Sequence, residues 1–138
     1  MNISFFLTPK SDVAYEKATS TMRQAMEKIE YNGYTAIPII DDKGKYVGTL
    51  TEGDLLRKLK NTPGLDFMNT NKVVLSDVNF RTNNKPVRIT CNVEDLVVTS
   101  INQNFVPVVD DNDIFIGIIK RSDIITYCYK KLFDQKES

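Results

Sequence analysis

The stretch "IPIIDDKGKYVGTLTEGDLL", residues 37–56, contains the elements that decide the fold. A short β-branched run ends in the acidic turn "DDKG", and a second strand-like run, "KYVGTL", follows it. Such runs, bounded by Asp and Gly, predict two strands joined into a hairpin. The hairpin leads directly into "EGDLLRKLK", where apolar and polar residues alternate at helical spacing. The stretch therefore predicts a strand–strand–helix unit.

The same unit occurs twice. Residues 106–125, "VPVVDDNDIFIGIIKRSDII", align with residues 37–56 without a gap at an offset of 69. Five of the twenty aligned positions are identical, where ordinary residue usage would give about one. We infer a duplication, and we expect the two halves to pack together because neither buries much core alone. Upstream of each hairpin, a further helix is predicted by apolar residues at helical spacing: Met22, Ala25, Met26 and Ile29 in the first half, and Val93, Leu96, Val97 and Ile101 in the second.

The composition excludes several classes of protein. Lys plus Arg equal Asp plus Glu at 18 each, so no net charge attracts nucleic acid or a membrane surface. The chain has no histidine, which removes the commonest general base and zinc ligand. Cys91 and Cys128 form no CxxC motif, and no signal peptide or membrane span is apparent. We expect a cytoplasmic protein. Catalysis by paired carboxylates or by lysine stays possible, although nothing in the spacing of these residues indicates it.

The motif Gly48-x-x-Thr51-x-x-Asp54, lying after "TAIP" inside a tandem repeat, resembles that of a pair of cystathionine-β-synthase (CBS) domains, known as a Bateman module. The resemblance covers nearly the whole chain, with repeats at residues 6–60 and 73–131 and a linker at residues 61–72. It implies an α/β (α+β) fold. Two β-α-β-β-α repeats would pack with pseudo-twofold symmetry into one module.

Bateman modules are similar to known sensors of adenosyl ligands. The resemblance implies a regulatory module that needs no cofactor and binds AMP, ADP, ATP, S-adenosylmethionine or an adenine dinucleotide in the cleft between the repeats. It also implies a regulated protein partner of unknown identity and a homodimer formed through apolar helix positions, namely Leu55, Leu56, Leu59, Ile124 and Ile125. The alternative is a scaffold or dimerisation module whose clefts bind nothing. An enzyme ranks third, since no nucleophile and base are paired in the sequence.

For the first cleft, the resemblance implies that Asp54 binds the ribose hydroxyls, that Thr51 faces the phosphate and that Thr49 lies beside the base. A carboxylate suits a vicinal diol because it accepts two hydrogen bonds. The second repeat would contribute Lys85, Pro86, Val87, Asn104 and Phe105. Thr51-x-x-Asp54 is equally typical of a capping box, in which the two residues only begin a helix.

For the second cleft, the resemblance implies Lys120 and Asp123 in the corresponding positions, with Ile118 beside the base and Arg121 adjacent. Lys120 stands where the family has Ser or Thr, although a lysine can hold a phosphate as a point charge. The first repeat would contribute Ala14, Tyr34 and Thr35. The rings of Tyr34 and Phe105 either stack on adenine or pack in the core. The acidic pairs at residues 41–42 and 110–111 are interpreted as turn residues rather than metal ligands.

Overall fold

The computed structural model describes residues 2–81 and 84–134. The chain divides into two compact units, which we call the middle unit, Ala14–Asn84, and the split unit, Met1–Val13 with Lys85–Ser138. The strands are β1 Thr8–Pro9, β2 Glu16–Lys17, β3 Ala36–Ile40, β4 Tyr46–Thr51, β5 Val87–Arg88, β6 Phe105–Val109 and β7 Phe115–Lys120. The helices are α1 Met22–Asn32, α2 Glu52–Asn61, α3 Val93–Ser100 and α4 Arg121–Asp134. Both predicted hairpins and all four predicted helices are therefore confirmed.

The two sheets repeat one another in detail. In the middle unit the strand order is β2-β3-β4, with β2 parallel to β3 and β3 antiparallel to β4. In the split unit β5, β6 and β7 have the same order and directions. Ile39 lies opposite Gly48, and Val108 lies opposite Gly117, 69 residues later. Each hairpin also shifts register immediately after this pair, so the duplication inferred from the sequence is present in the backbone pairing.

Local sequence explains where the helices of the middle unit begin and end. Thr21 and Gln24 form a capping box at the start of α1. Gly33 ends α1 with φ of 67°, a left-handed conformation that glycine adopts at little cost. The residues after α2 fold back onto the unit, since the Arg23 guanidinium donates to the Phe67 and Met68 carbonyls at 2.8 and 3.0 Å.

Each unit has its own apolar core between its sheet and its helices. The core of the middle unit consists of Met22, Ala25, Ile29, Ile37, Ile39, Leu50, Leu55, Leu75 and Val78. The core of the split unit consists of Ile3, Phe6, Val87, Leu96, Val106, Val108, Ile119 and Ile124. No helix in the described part of the chain is long and apolar enough to cross a membrane.

The acidic turns act as the sequence predicts. The Asp41 side chain accepts hydrogen bonds from the Lys43 and Lys45 backbone N–H groups, both at 2.9 Å. These bonds, that from Lys45 above all, lower the pKa of Asp41. The Asp110 side chain accepts two backbone N–H bonds in the corresponding turn, at 2.8 and 3.0 Å. These two aspartates therefore fix the hairpin turns.

A segment near the start of each repeat packs close to a glycine of a hairpin. Residues 8–9, at the start of the chain, form β1 and pair with β7 of the split unit. A Cβ atom at Gly117 would lie 2.2 Å from the Thr8 carbonyl oxygen, far inside contact distance. In the middle unit, a Cβ atom at Gly48 would lie 2.6 Å from the ring of Phe80, near the start of the second repeat. The duplicated glycines leave room for these two segments. We call residues 5–9 and residues 77–81 the lead-in segments.

Replacement of Gly117 by Ala should destabilise the split unit, because the new methyl group meets backbone rather than a movable side chain. We expect a loss of about 1–3 kcal/mol in the free energy of unfolding, the usual cost of overpacking. Gly53→Ala is the matched control, since its Cβ would meet only the Thr51 hydroxyl at 3.6 Å, an ordinary contact. Urea unfolding of both variants measures the difference. Equal stability of the two variants would contradict the close packing of the lead-in segment at Gly117.

Candidate ligand site

The Thr51–Asp54 motif forms a complete capping box at the start of α2. The Thr51 hydroxyl accepts a hydrogen bond from the Asp54 backbone N–H at 3.1 Å. The Asp54 Oδ2 atom accepts one from the Thr51 backbone N–H at 2.9 Å. This geometry satisfies two of the N–H groups that a helix start leaves without partners. The capping interpretation of the motif is thus confirmed.

The other oxygen of Asp54 is also occupied. Asp54 Oδ1 accepts hydrogen bonds from the guanidinium of Arg57, with which it forms an ion pair, and from the Arg81 backbone N–H at 3.1 Å. The side chain of Asp54 is 1% exposed, and that of Arg57 is 29% exposed. A carboxylate has about four acceptor positions, and three of these are filled. In this structure Asp54 is a buried, largely saturated acid.

The corresponding acid of the second repeat has a different environment. Asp123 lies in the first turn of α4 and is exposed to solvent. Within residues 2–81 and 84–134, no hydrogen bond or ion pair reaches its carboxylate. Lys120 precedes the helix where Thr51 stands in the first repeat, and it has no hydroxyl to build a capping box. Asp123 is therefore available to an external donor.

A cavity of about 480 Å³ in the split unit includes Asp123 in its lining. Its wall combines rings, hydroxyls, an acid and a lysine: Phe5, Phe6, Leu7, Thr8, Asp123, Thr126, Tyr127 and Lys130. The rings of Phe6 and Tyr127 are in edge contact, with centroids 5.1 Å apart. Phe5 lies edge-on to Phe6 at 5.5 Å and is 75% exposed. Such a wall offers aromatic surface beside a hydrogen-bond acceptor and a cation.

The middle unit contains a smaller counterpart of this cavity. It has a volume of about 260 Å³ and is lined by Asp54, Arg57, Lys58, Asn61, Thr62, Asp77 and Asn79. Its four helix positions 54, 57, 58 and 61 correspond to 123, 126, 127 and 130 at the offset of 69. The lead-in segments complete both walls, through Asp77 and Asn79 in one unit and residues 5–8 in the other. The duplication thus extends to a pair of cavities, each beside one aspartate.

Most of the remaining residues predicted for the first site lie in the split unit. The Gln103 side chain bonds to the backbone of Lys85, at 2.9 and 3.2 Å, and to the carbonyl of Phe105, at 3.3 Å. The structure therefore brings the segments at residues 85–87 and 104–105 together, and their role in a ligand site stays a prediction. Val87 is buried in β5, whereas Lys85 and Pro86 are exposed.

Two residues predicted for different sites are in direct contact. The Arg121 guanidinium donates to the Asn104 side-chain oxygen at 2.6 Å, and the Arg121 backbone N–H donates to the Asn104 carbonyl at 3.0 Å. These bonds tie the start of α4 to the start of β6. Ile118, two residues before Lys120, is half-buried in β7.

Thr49, predicted beside the base, is fully buried. Its hydroxyl shares a hydrogen bond of 2.7 Å with the Tyr46 hydroxyl, which also donates to the Asn84 carbonyl at 2.8 Å. Burial raises the pKa of Tyr46 to about 12, so this phenol stays protonated at neutral pH. The contacts give Thr49 a structural role within the middle unit.

The residues predicted for the second site from the first repeat lie in the middle unit. Tyr34 is 45% exposed, and with Thr35 it lines an apolar cavity of about 620 Å³ between α1 and α2. Ala14 is half-buried against the core of this unit. Each predicted site draws residues from both units, and this pairing stays a prediction.

Sequence reasoning missed the lead-in and α4 residues of the cavity beside Asp123: Phe5, Phe6, Leu7, Thr8, Thr126, Tyr127 and Lys130. The helical members were accessible in principle, since Thr126, Tyr127 and Lys130 follow Asp123 at spacings of three, four and seven, along one helix face. The lead-in members carry no comparable signal, because they lie more than a hundred residues away in the sequence.

Comparisons with known proteins identify the family. The family model for the CBS domain matches twice, at residues 6–61 and 66–130. The chain therefore belongs to the CBS domain family and carries two such domains in tandem. Within the described residues, no group of three or more His, Cys, Asp or Glu side chains could hold a metal ion.

Curated relatives share the repeats within longer proteins. The chain is 26% identical over 114 residues to cystathionine beta-synthase of Dictyostelium discoideum, covering 82% of this chain and 22% of that protein. It is 27% identical over 143 residues to the chloroplastic CBS domain-containing protein CBSX1 of Arabidopsis thaliana, covering 87% of this chain and 61% of that protein. The chain thus spans about a fifth of the first relative and about three fifths of the second.

Solved structures show the same fold. CbpB in complex with c-di-AMP superposes with a TM-score of 0.86 at 24% identity, covering 99% of this chain and 90% of that one. Listeria monocytogenes CbpB in complex with c-di-AMP gives a TM-score of 0.79 at 20% identity, covering 94% and 96%. CBSX2 in complex with AMP gives 0.72 at 25% identity, also covering 94% and 96%. The predicted Bateman-module fold is confirmed.

Replacement of Asp54 by Ala should destabilise the protein much more than the same change at Asp123. The first change removes the reciprocal hydrogen bond of the capping box and two further hydrogen bonds to the carboxylate, and we expect a loss of about 2 kcal/mol in the free energy of unfolding. The second removes only an exposed acid near a helix start, which contributes less than about 1 kcal/mol. Urea unfolding of the two variants makes the comparison. Equal losses would contradict the different environments of the two acids.

Proposed function

We propose that this chain is a non-enzymatic regulatory module that binds an adenosyl ligand in the cavity beside Asp123. The observation that carries the proposal is an exposed carboxylate set in a wall of aromatic rings, hydroxyls and a lysine. The AMP complex of CBSX2 and the c-di-AMP complex of CbpB support this class of ligand. S-adenosylmethionine, ADP and ATP remain part of the predicted class.

Each part of an adenine nucleotide has a partner in this cavity. The Asp123 carboxylate accepts hydrogen bonds from the ribose hydroxyls, because an ionised acid is an acceptor only and takes two bonds from a diol. The exposed ring of Phe5 provides a face on which a purine stacks. Lys130, one turn beyond Thr126, supplies a positive charge for a phosphate.

The state of Asp54 favours this assignment over the first predicted site. Its carboxylate has three donors already in place and is buried, so a ribose would have to displace a cation or a helix cap. A ribose that binds Asp123 displaces no partner of that carboxylate among the described residues. Ligand binding then shifts the module between conformations with different affinity for a regulated partner.

We also infer a homodimer formed through the helices. Of the helix positions expected at this surface, Leu55 and Ile124 are buried in the cores of their own units and are not available to a partner. Leu56 of α2 and Ile125 of α4 occupy matching positions in the two repeats, and they are 66% and 59% exposed. Large apolar side chains at such exposure favour a protein partner. Light scattering at high micromolar concentration should give the mass of a dimer, and a monomeric mass would contradict this assembly.

Isothermal titration with AMP tests the proposed site. Asp123→Ala should raise the Kd for AMP by at least about tenfold, since losing hydrogen bonds to a charged group costs about 1.5–3 kcal/mol. Asp111→Ala is the matched control, because it removes an exposed acid of the same unit from a turn outside the cavity. The control should change the Kd by less than about twofold. Unchanged AMP binding by the Asp123 variant would overturn the assignment of this site. If the wild-type chain binds neither AMP nor c-di-AMP, the regulatory function is wrong and the scaffold alternative stands.

A further inference from the structure

We infer that Arg57 blocks ligand access to Asp54, one of the two duplicated aspartates. The chain therefore binds one adenosyl ligand, although its two repeats contain two such acids. The inference rests on the proposed function and assigns Arg57 as the residue that sets ligand number. It follows from comparing residues at the same position in the two repeats.

Arg57 acts on Asp54 from one turn further along the same helix. Its guanidinium donates to Asp54 Oδ1 and reaches the Asn79 carbonyl at 3.4 Å, which fixes the side chain across the cavity of the middle unit. A guanidinium in this place neutralises the acid and fills the space in front of it. A ribose hydroxyl that approaches Asp54 from this cavity meets Arg57 first.

The equivalent position in the second repeat lacks this cation. Thr126 stands 69 residues after Arg57, and its hydroxyl donates to the Ser122 carbonyl of its own helix at 2.8 Å. Thr126 is also shorter than arginine, and the cavity beside it is about 480 Å³ against about 260 Å³ in the middle unit. Of the three groups that donate to the Asp54 carboxylate, two are backbone N–H groups and Arg57 is the one side chain, so threonine at the equivalent position of the second repeat lacks the side chain that covers the acid.

Lys58 provides a matched control for the charge of Arg57. It is the next residue along α2 and lines the same cavity. Among the described residues it forms no ion pair with Asp54. Arg57→Thr and Lys58→Thr therefore remove the same charge from the same cavity, and Arg57→Thr alone uncovers the acid. The first variant also copies the residue found at the equivalent position of the second repeat.

Carbodiimide labelling of carboxylates, followed by peptide mass spectrometry, tests the closure without any ligand. In the wild-type chain Asp123 should be labelled and Asp54 protected. Arg57→Thr should raise the labelling of Asp54 towards the level of Asp123, while Lys58→Thr should leave it protected. Labelling of Asp54 in the wild-type chain, or continued protection in Arg57→Thr, would overturn the inference whether or not AMP binds.

Isothermal titration with AMP then tests the effect on ligand number. The wild-type chain and Lys58→Thr should bind one AMP per chain, and Arg57→Thr should bind a second. A single AMP in Arg57→Thr would overturn the role of Arg57 in setting ligand number. If the wild-type chain binds no AMP but Arg57→Thr does, the closure stands and the assignment to Asp123 is wrong. If neither chain binds AMP or c-di-AMP, the proposed function fails, and the labelling alone decides whether Arg57 covers Asp54.

Discussion

The structure depends on the contact between each lead-in segment and the glycine in the second strand of the adjacent hairpin. Gly117 admits the Thr8 backbone, and Gly48 admits the ring of Phe80, at distances that a Cβ atom would not allow. This contact determines which residues lie opposite the start of the helix that follows the hairpin. In the split unit it brings the aromatic residues 5–6 beside Asp123. In the middle unit it brings the Arg81 backbone N–H to Asp54.

Duplication has therefore preserved a scaffold while the two acids have diverged in environment. The hairpins, their register shift and the two aspartates repeat at a constant offset of 69. The differences lie in the side chains around each acid. Arg57 and Thr51 turn Asp54 into a structural residue that holds a helix start and the second lead-in segment. Thr126 and Lys120 leave Asp123 exposed, beside rings that suit a purine.

Much of the fold could be predicted from the sequence because hydrophobic periodicity and turn residues are local signals. The β-branched runs of β3 and β6 and the acidic turns after them place both hairpins without ambiguity. The position of the lead-in segments could not be predicted in this way. Thr8 pairs with Ile118, more than a hundred residues later, and two-residue strands carry almost no periodicity.

The candidate site was only half accessible to sequence reasoning. The repeat places Asp54 and Asp123 at equivalent positions, and both were predicted to face a ligand. The sequence does not show which acid is already satisfied, because an arginine three residues after an acid is usually a solvated surface pair of little consequence. Here Asp54 is buried, so the ion pair at this spacing covers the carboxylate instead of lying in solvent. The backbone N–H of Arg81, which carries no side-chain signal, completes the effect.

The central claim is that Asp123, and not Asp54, is the acid that meets the ribose. A crystal structure of the chain grown with AMP measures this most directly. The account predicts ribose hydroxyls within hydrogen-bond distance of the Asp123 carboxylate, while Asp54 keeps its contacts with Thr51, Arg57 and Arg81. A ribose bound to the Asp54 carboxylate, with Arg57 displaced, would contradict it.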